Sequence, residues 1–190
     1  MIGLEAYERA RRIRGLILDV DGVLTDNRVY FGREGELMRA FNVRDGLGLA
    51  FLRKAGYRLG IVSGRASDTV AARAEELGID PVLLDRADKR SALDEVLAIW
   101  KMTAEEVAAM GDDLLDGPML SAVGLSMAPA DARDELLARV DFVTGSPGGH
   151  GAVREACELL LKAGGHWEEI LRRHCFAEDS AWKNQPEITG

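Results

Sequence analysis

Two cysteines, three histidines and five prolines are spread through 190 residues, and each scarcity closes off a class of protein. Cys157 and Cys175 stand far apart with no CxxC or Cys/His spacing, so the chain has neither a disulfide framework nor a zinc-binding pattern. They read as reduced thiols in a cytoplasmic protein. No apolar run approaches the ~20 residues that a membrane span requires. The opening stretch, Met1-Ile-Gly-Leu-Glu-Ala-Tyr-Glu-Arg, mixes acids with bases where a secretory leader would carry an apolar core. Basic residues are outnumbered as well: 24 Lys and Arg against 32 Asp and Glu leave a net charge of −8, which argues against nucleic acid or an anionic membrane surface as partner.

What remains is an ordinary globular composition, 47% hydrophobic, in a chain long enough for one well-formed core. Short apolar runs at 16–20, 58–63, 81–84, 107–110, 124–127 and 141–143 alternate with helical patterns at 47–55, 67–77, 89–100, 118–123, 131–138 and 152–163. That rhythm predicts an α/β fold, a three-layer Rossmann-like domain with a central parallel sheet and helices on both faces. Residues 27–42 break it, reading as a β-hairpin after the first strand about a Gly-bounded turn. A hairpin of this size needs packing partners, and Val29, Phe31, Leu37 and Phe41 are expected to be exposed for contact with another subunit. The domain is expected over residues 1–164, followed by a short helix and a polar tail over 165–190. Trp100 and Cys157 read as core packing, whereas Trp182, in the tail, points to contact with another chain.

The first strand ends Gly15-Leu-Ile-Leu-Asp19-Val-Asp21-Gly-Val-Leu-Thr-Asp26. A strand built for burial has no structural use for two like charges at its end. Turn formation explains Asp21-Gly22 but not Asp19, which precedes the last apolar position. In an extended chain, side chains at i and i+2 point the same way, so both carboxylates are expected to face one small volume and to ask for a cation, a shared proton, or both. Ligands of open α/β sheets bind outside the carboxyl ends of the strands. The second strand ends in Ser63-Gly64-Arg65, the fourth in Gly111-Asp112-Asp113-Leu-Leu-Asp116, and Lys89 opens the helix after the third. Singly, Ser63 is a helix cap, Lys89 a solvated helix residue and Gly-Asp-Asp a turn. Together they suit phosphoryl transfer: carboxylates to hold Mg²⁺, Lys89 to neutralise charge, Ser63 and nearby backbone N–H groups to grip phosphoryl oxygens.

In order and spacing these segments resemble the four motifs of the haloacid dehalogenase (HAD) superfamily of phosphotransferases. The likeness covers most of residues 14–163. Phe41-Asn-Val-Arg-Asp45-Gly-Leu-Gly, Ala128-Pro-Ala-Asp-Ala and Gly148-Gly-His-Gly-Ala-Val-Arg-Glu155 make the chain similar to the small capless branch typified by 3-deoxy-manno-octulosonate 8-phosphate (KDO 8-phosphate) phosphatase, and no insertion is long enough for a cap domain. The resemblance implies a HAD-like fold and a Mg²⁺-dependent phosphomonoesterase for an acidic keto sugar phosphate, with a homotetramer standing in for the cap. It implies Asp19 as the nucleophile, Asp21 as acid and then base, and Ser63 and Lys89 as catalytic partners. Asp19, the Asp21 carbonyl and Asp112 become metal ligands, supported by Asp113 and Asp116, while Gly64, Arg65 and Arg73 face the substrate. The chain departs from the family at Leu84-Asp85-Arg86-Ala87, where Gln-Gly is usual, and in a longer C-terminus, so the exact sugar stays open. Another nonulosonate 9-phosphate or a general sugar phosphate is the nearest alternative. A noncatalytic subunit of the same fold is the more distant one, and it would have no need to keep Asp19, Asp21, Lys89 and Asp112. His150 reads as a surface-loop residue.

Overall fold

The computed structural model describes residues 2–174; Cys175, Trp182 and the rest of the expected tail lie outside them. In chain order the elements are α1 (Leu4–Ala10), β1 (Gly15–Leu18), β2 (Tyr30–Gly32), β3 (Gly35–Met38), α2 (Val43–Lys54), β4 (Arg58–Val62), α3 (Asp68–Leu77), β5 (Val82–Leu83), α4 (Lys89–Trp100), β6 (Val107–Met110), α5 (Gly117–Leu120), β7 (Leu125–Ala128), α6 (Asp134–Leu137), β8 (Phe142–Val143), α7 (Ala152–Ala163) and α8 (Trp167–His174). Six strands form one parallel sheet in the order β5-β4-β1-β6-β7-β8, and β2 pairs antiparallel with β3 in a separate hairpin.

The first strand is central because all of it is apolar: Leu16, Ile17 and Leu18 are wholly buried, as a parallel strand covered on both faces must be. Alternation along it sends Leu16 and Leu18 into a core with Leu49, Leu52, Val153 and Leu160, and Ile17 into a second core with Leu93, Val96, Trp100 and Met119. Helices α2 and α7 therefore cover one face, α4 and α5 the other. Trp100 lies against the sheet as expected, its ring filling the space over Gly15 and Gly60 and its indole N–H donating to the Asp80 carbonyl at 3.1 Å.

Most other bounds shift by one to three residues, and three differences from the sequence reading bear on the site or its support. Helix α2 starts at Val43 rather than 47, because the Asn42 side chain caps it by accepting the Arg44 N–H at 2.8 Å. Its two glycines weaken the helical signal, but they allow close packing: a Cβ on Gly48 would sit 3.2 Å from the Arg154 backbone, and one on Gly46 2.5 Å from the Arg73 guanidinium. Helix α1, not expected at all, buries only Ala6 and Ala10. Strand β1 ends at Leu18, so Asp19 lies just beyond it and Asp21 lies in a turn in which the N–H groups of Val23, Leu24 and Thr25 all donate to the Val20 carbonyl.

The hairpin forms where expected and leaves Phe31 and Leu37 exposed (65% and 71%). Val29 and Phe41 depart from the expectation: both are half-buried, and Phe41 packs against the main core. No helix among the described residues is long and apolar enough to cross a membrane.

Candidate active site

The residues singled out at the strand ends follow β1, β4, β5 and β6, four adjacent strands. Asp19 follows β1, anchored by its N–H to the Met110 carbonyl of β6 at 3.0 Å. Ser63 follows β4, held by its N–H to the Leu83 carbonyl at 2.9 Å. Lys89 is the first residue of α4, set by Asp88, whose side chain accepts the N–H groups of Arg90 and Ser91. Asp112 follows β6 and Gly111.

Lys89 draws this edge together. Its ammonium donates to Asp19 Oδ1 at 2.6 Å and to Asp116 Oδ1, and all three side chains are buried. The other oxygen of Asp116 accepts the N–H groups of Asp112 and Asp113 at 3.0 and 3.1 Å. Asp116 is thus committed to positioning the loop and the lysine. Gly111 is required there, since a Cβ would lie 2.4 Å from Asp116 Cβ. Asp113 is exposed and caps the 3₁₀ turn at Leu114–Asp116.

Asp19, Asp112 and Asp116 bring carboxylate oxygens within 4.8 Å of one another. Burial, and secondly Asp116, push Asp19 up to about 7; burial, and secondly Asp19, push Asp112 up to about 8. One ammonium is too little for three crowded carboxylates. With Asp116 engaged, Asp19 and Asp112 offer hard oxygen donors and an excess of negative charge, a donor set that fits Mg²⁺ rather than a thiolate- or imidazole-seeking metal.

The Asp21 carboxylate, two residues after Asp19, pairs with Arg39 through Oδ1 and stands 3.8 Å from Arg65 Nε through Oδ2. Arg65 is half-exposed and Gly64 exposed; the Arg65 N–H donates to Ser63 Oγ at 3.3 Å. Arg73 pairs with Glu76 at 2.7 Å and its guanidinium stands over the Phe41 ring. Of the residues read as departing from the family pattern, Asp85 adopts a left-handed φ of 57° and Arg86 turns its charge to Glu95 at 3.1 Å. His150 is exposed in its loop.

Several contributors were not legible in the sequence. Arg39 and Glu36 come from the hairpin, and Asn27 approaches Asp112 at 3.5 Å with a φ of 62°. The Gly148-Gly149 loop closes over the acidic turn, Gly149 N–H donating to the Val23 carbonyl at 3.0 Å and Gly148 so near Gly22 that any side chain would clash. Buried Asp45 accepts the Arg154 N–H at 2.7 Å and fixes the start of α7 to α2. The longest of these hydrogen bonds in sequence joins Val23 to Gly149, and no local spacing announces them.

A Rossmann-like sheet carrying an Asp pair, a Ser, a Lys and an acidic loop on adjacent strand ends defines a class, and residues 82–155 match that class directly, as haloacid dehalogenase-like hydrolases. The chain is 45% identical to the 3-deoxy-D-manno-octulosonate 8-phosphate phosphatase of Yersinia pestis over 84% of its length and 85% of the relative's. It is 43% identical to the same enzyme of Escherichia coli strain K12, over 88% and 89%. The crystal structure of the Yersinia pestis phosphatase superposes with a TM-score of 0.85 at 44% identity, covering 87% of this chain and 89% of that one. A Moraxella catarrhalis 3-deoxy-D-manno-octulosonate 8-phosphate phosphatase in complex with magnesium, phosphate and KDO superposes at 0.86 with 36% identity, covering 89% and 97%. The chain belongs to this phosphatase family.

Proposed function

We propose that the protein is a Mg²⁺-dependent cytoplasmic phosphomonoesterase that hydrolyses KDO 8-phosphate to KDO and inorganic phosphate. The observation that carries the reading is the buried Lys89–Asp19 pair beside Asp112 on adjacent strand ends, in a chain whose relatives bear that activity in their name.

Asp19, the Asp21 main-chain carbonyl and Asp112 are assigned to Mg²⁺, with Asp113 and Asp116 supporting them. When bound, the ion supplies a Lewis acid that draws charge from the phosphoryl oxygens. Lys89 holds one oxygen of Asp19 and keeps the carboxylate aimed; the other oxygen attacks phosphorus in line with the sugar oxygen. As that P–O bond breaks, Asp21 gives its proton to the leaving oxygen, and an aspartyl-phosphate remains on Asp19. Asp21, now a base, takes a proton from water; the oxygen attacks phosphorus, the bond to Asp19 breaks, and phosphate leaves. Ser63 Oγ accepts the Arg65 N–H, which leaves its hydroxyl proton for a phosphoryl oxygen alongside the Gly64 N–H. Arg65 and Arg73 are assigned to the acidic sugar. The absence of a cap among the described residues keeps water at hand, which favours hydrolysis over transfer to a second sugar.

A homotetramer built through the exposed hairpin is the assembly this reading requires, because an uncapped site leaves most of the sugar without contacts. A different nonulosonate 9-phosphate is the second reading, favoured by the charged Asp85 and Arg86 beside Ser63, whose carbonyl accepts the Arg86 N–H at 2.9 Å. Phosphate release with Mg²⁺ across a panel of sugar phosphates, ranked by kcat/KM, tests both. KDO 8-phosphate is expected to lead, and Asp19→Asn is expected to abolish turnover with the fold intact. Robust activity in that variant, or preference for another ester, overturns the respective part.

A further inference from the structure

Arg39, the residue after β3, has no exposed side-chain surface. A guanidinium keeps its charge at any working pH, so burial requires partners. Nη1 donates to Asp21 Oδ1, and Nη2 to Glu36 Oε2 at 3.0 Å. The second oxygen of Glu36 accepts Ser67 Oγ at 2.5 Å, and Ser67 caps α3. A continuous chain of polar contacts therefore runs from the turn after β1, through the hairpin, to α3.

Attaching a hairpin does not demand buried charge, since apolar residues of similar volume serve as well or better. What this network does specifically is occupy one oxygen of Asp21. Oδ2 is the oxygen that accepts no hydrogen bond; Arg65 Nε stands 3.8 Å from it on a half-exposed side chain.

We infer that Arg39 is a positioning residue for proton transfer: by tying down Oδ1 of Asp21 it makes Oδ2 the atom that gives the proton to the leaving oxygen and then takes one from the attacking water. The inference rests on the hydrolytic reading above. Atoms balance over the cycle: the proton lost from Oδ2 as the ester P–O bond breaks is restored when water is deprotonated and the bond to Asp19 breaks.

The test exploits leaving-group chemistry. A sugar alkoxide needs a proton to depart, whereas dinitrophenolate leaves as a stable anion. Single-turnover ester cleavage, with enzyme in excess and Mg²⁺ present, is measured for KDO 8-phosphate and 2,4-dinitrophenyl phosphate. Positioned acid catalysis contributes on the order of 10²-fold or more, so Arg39→Gln is expected to slow the sugar ester about 10- to 100-fold and the aryl ester less than about threefold. The ratio of the two rates does not depend on the fraction of folded enzyme. Should Arg39→Gln fail to fold, Arg39→Lys carries the test: an ammonium cannot span both carboxylates as the fork does, and the ratio is expected between those of wild type and Arg39→Gln. An unchanged ratio in the variant measured overturns the assignment. Wild-type protein inert toward both esters overturns the hydrolytic reading itself, so the two failures are distinct.

Discussion

Lys89 and Asp19 meet at 2.6 Å with 6% and 8% of their side chains exposed, across 70 residues of sequence. Burial works against the lysine's charge, but Asp19 and Asp116 more than offset it and hold the ammonium above the ordinary lysine value. Asp19, the proposed nucleophile, is therefore both held and partly neutralised by one group.

Replacing that group exposes the imbalance. Lys89→Met is expected to lower kcat by about 10²-fold or more, through lost charge stabilisation, and to destabilise the fold by about 3 kcal/mol, because buried carboxylates lose their partner. Steady-state kinetics and urea unfolding give the two numbers. A variant with wild-type stability would contradict the pairing described.

Asp116 is expected to act without touching substrate. Asp116→Asn can keep either the Lys89 contact or the paired N–H contacts at full strength, not both, and is expected to weaken Mg²⁺ binding about 10- to 100-fold. In the wild type a chelator should abolish turnover, and Mg²⁺ at about 100 times its Kd should add about 2.7 kcal/mol to thermal stability. Asp112→Asn should lose that Mg²⁺-dependent gain.

Gly22 has a φ of +88°, and a Cβ there would lie 2.0 Å from Asp112 Oδ2. Gly22→Ala adds backbone strain of about 1 kcal/mol or more to a steric clash with an assigned metal ligand. The expected result is a lower melting temperature together with loss of Mg²⁺-dependent activity. Wild-type Mg²⁺ affinity in this variant would show that Asp112 is not a ligand.

A pH dependence follows from Asp45, whose burial holds its carboxyl above the usual range. The folded state then binds this proton more tightly than the unfolded chain does. Its contribution is full below the ordinary carboxylate range and is lost as pH rises through the raised value. Asp45→Asn cannot ionise, so the stability of wild type relative to the variant should fall as pH rises above the ordinary carboxylate range and then level off. Unfolding curves at a series of pH values read the slope, and a rising difference would refute it.

The hairpin prediction concerns assembly. Phe31 and Leu37 are 65% and 71% exposed, so sedimentation of the wild type is expected to give a tetramer and the double variant Phe31→Asp, Leu37→Asp a smaller species. A monomeric wild type at micromolar concentration would remove the proposed substitute for a cap.

The sequence was most legible where structure is local. Apolar periodicity and end signals place α4, α7 and β6 at their observed bounds, since helix faces, caps and strand burial depend on neighbours within a few residues. Four strand-end motifs locate the site edge for the same reason. Helix α2 was cut short because Gly46 and Gly48 lower helical propensity, and the packing that justifies them, against Arg73, Arg154 and Cys157, is not visible along the chain.

By itself, then, the amino-acid order determined a parallel α/β sheet and gathered acids, serine and lysine at one edge of it. Tertiary structure alone decided how those charges are shared. Asp19 and Asp21 stand two residues apart, yet the turn after Leu18 gives one to Lys89 and the other to Arg39. Charge pairing acts through space over a few ångströms, so partners brought by a hairpin and a distant helix, not spacing in the chain, set each carboxylate's task.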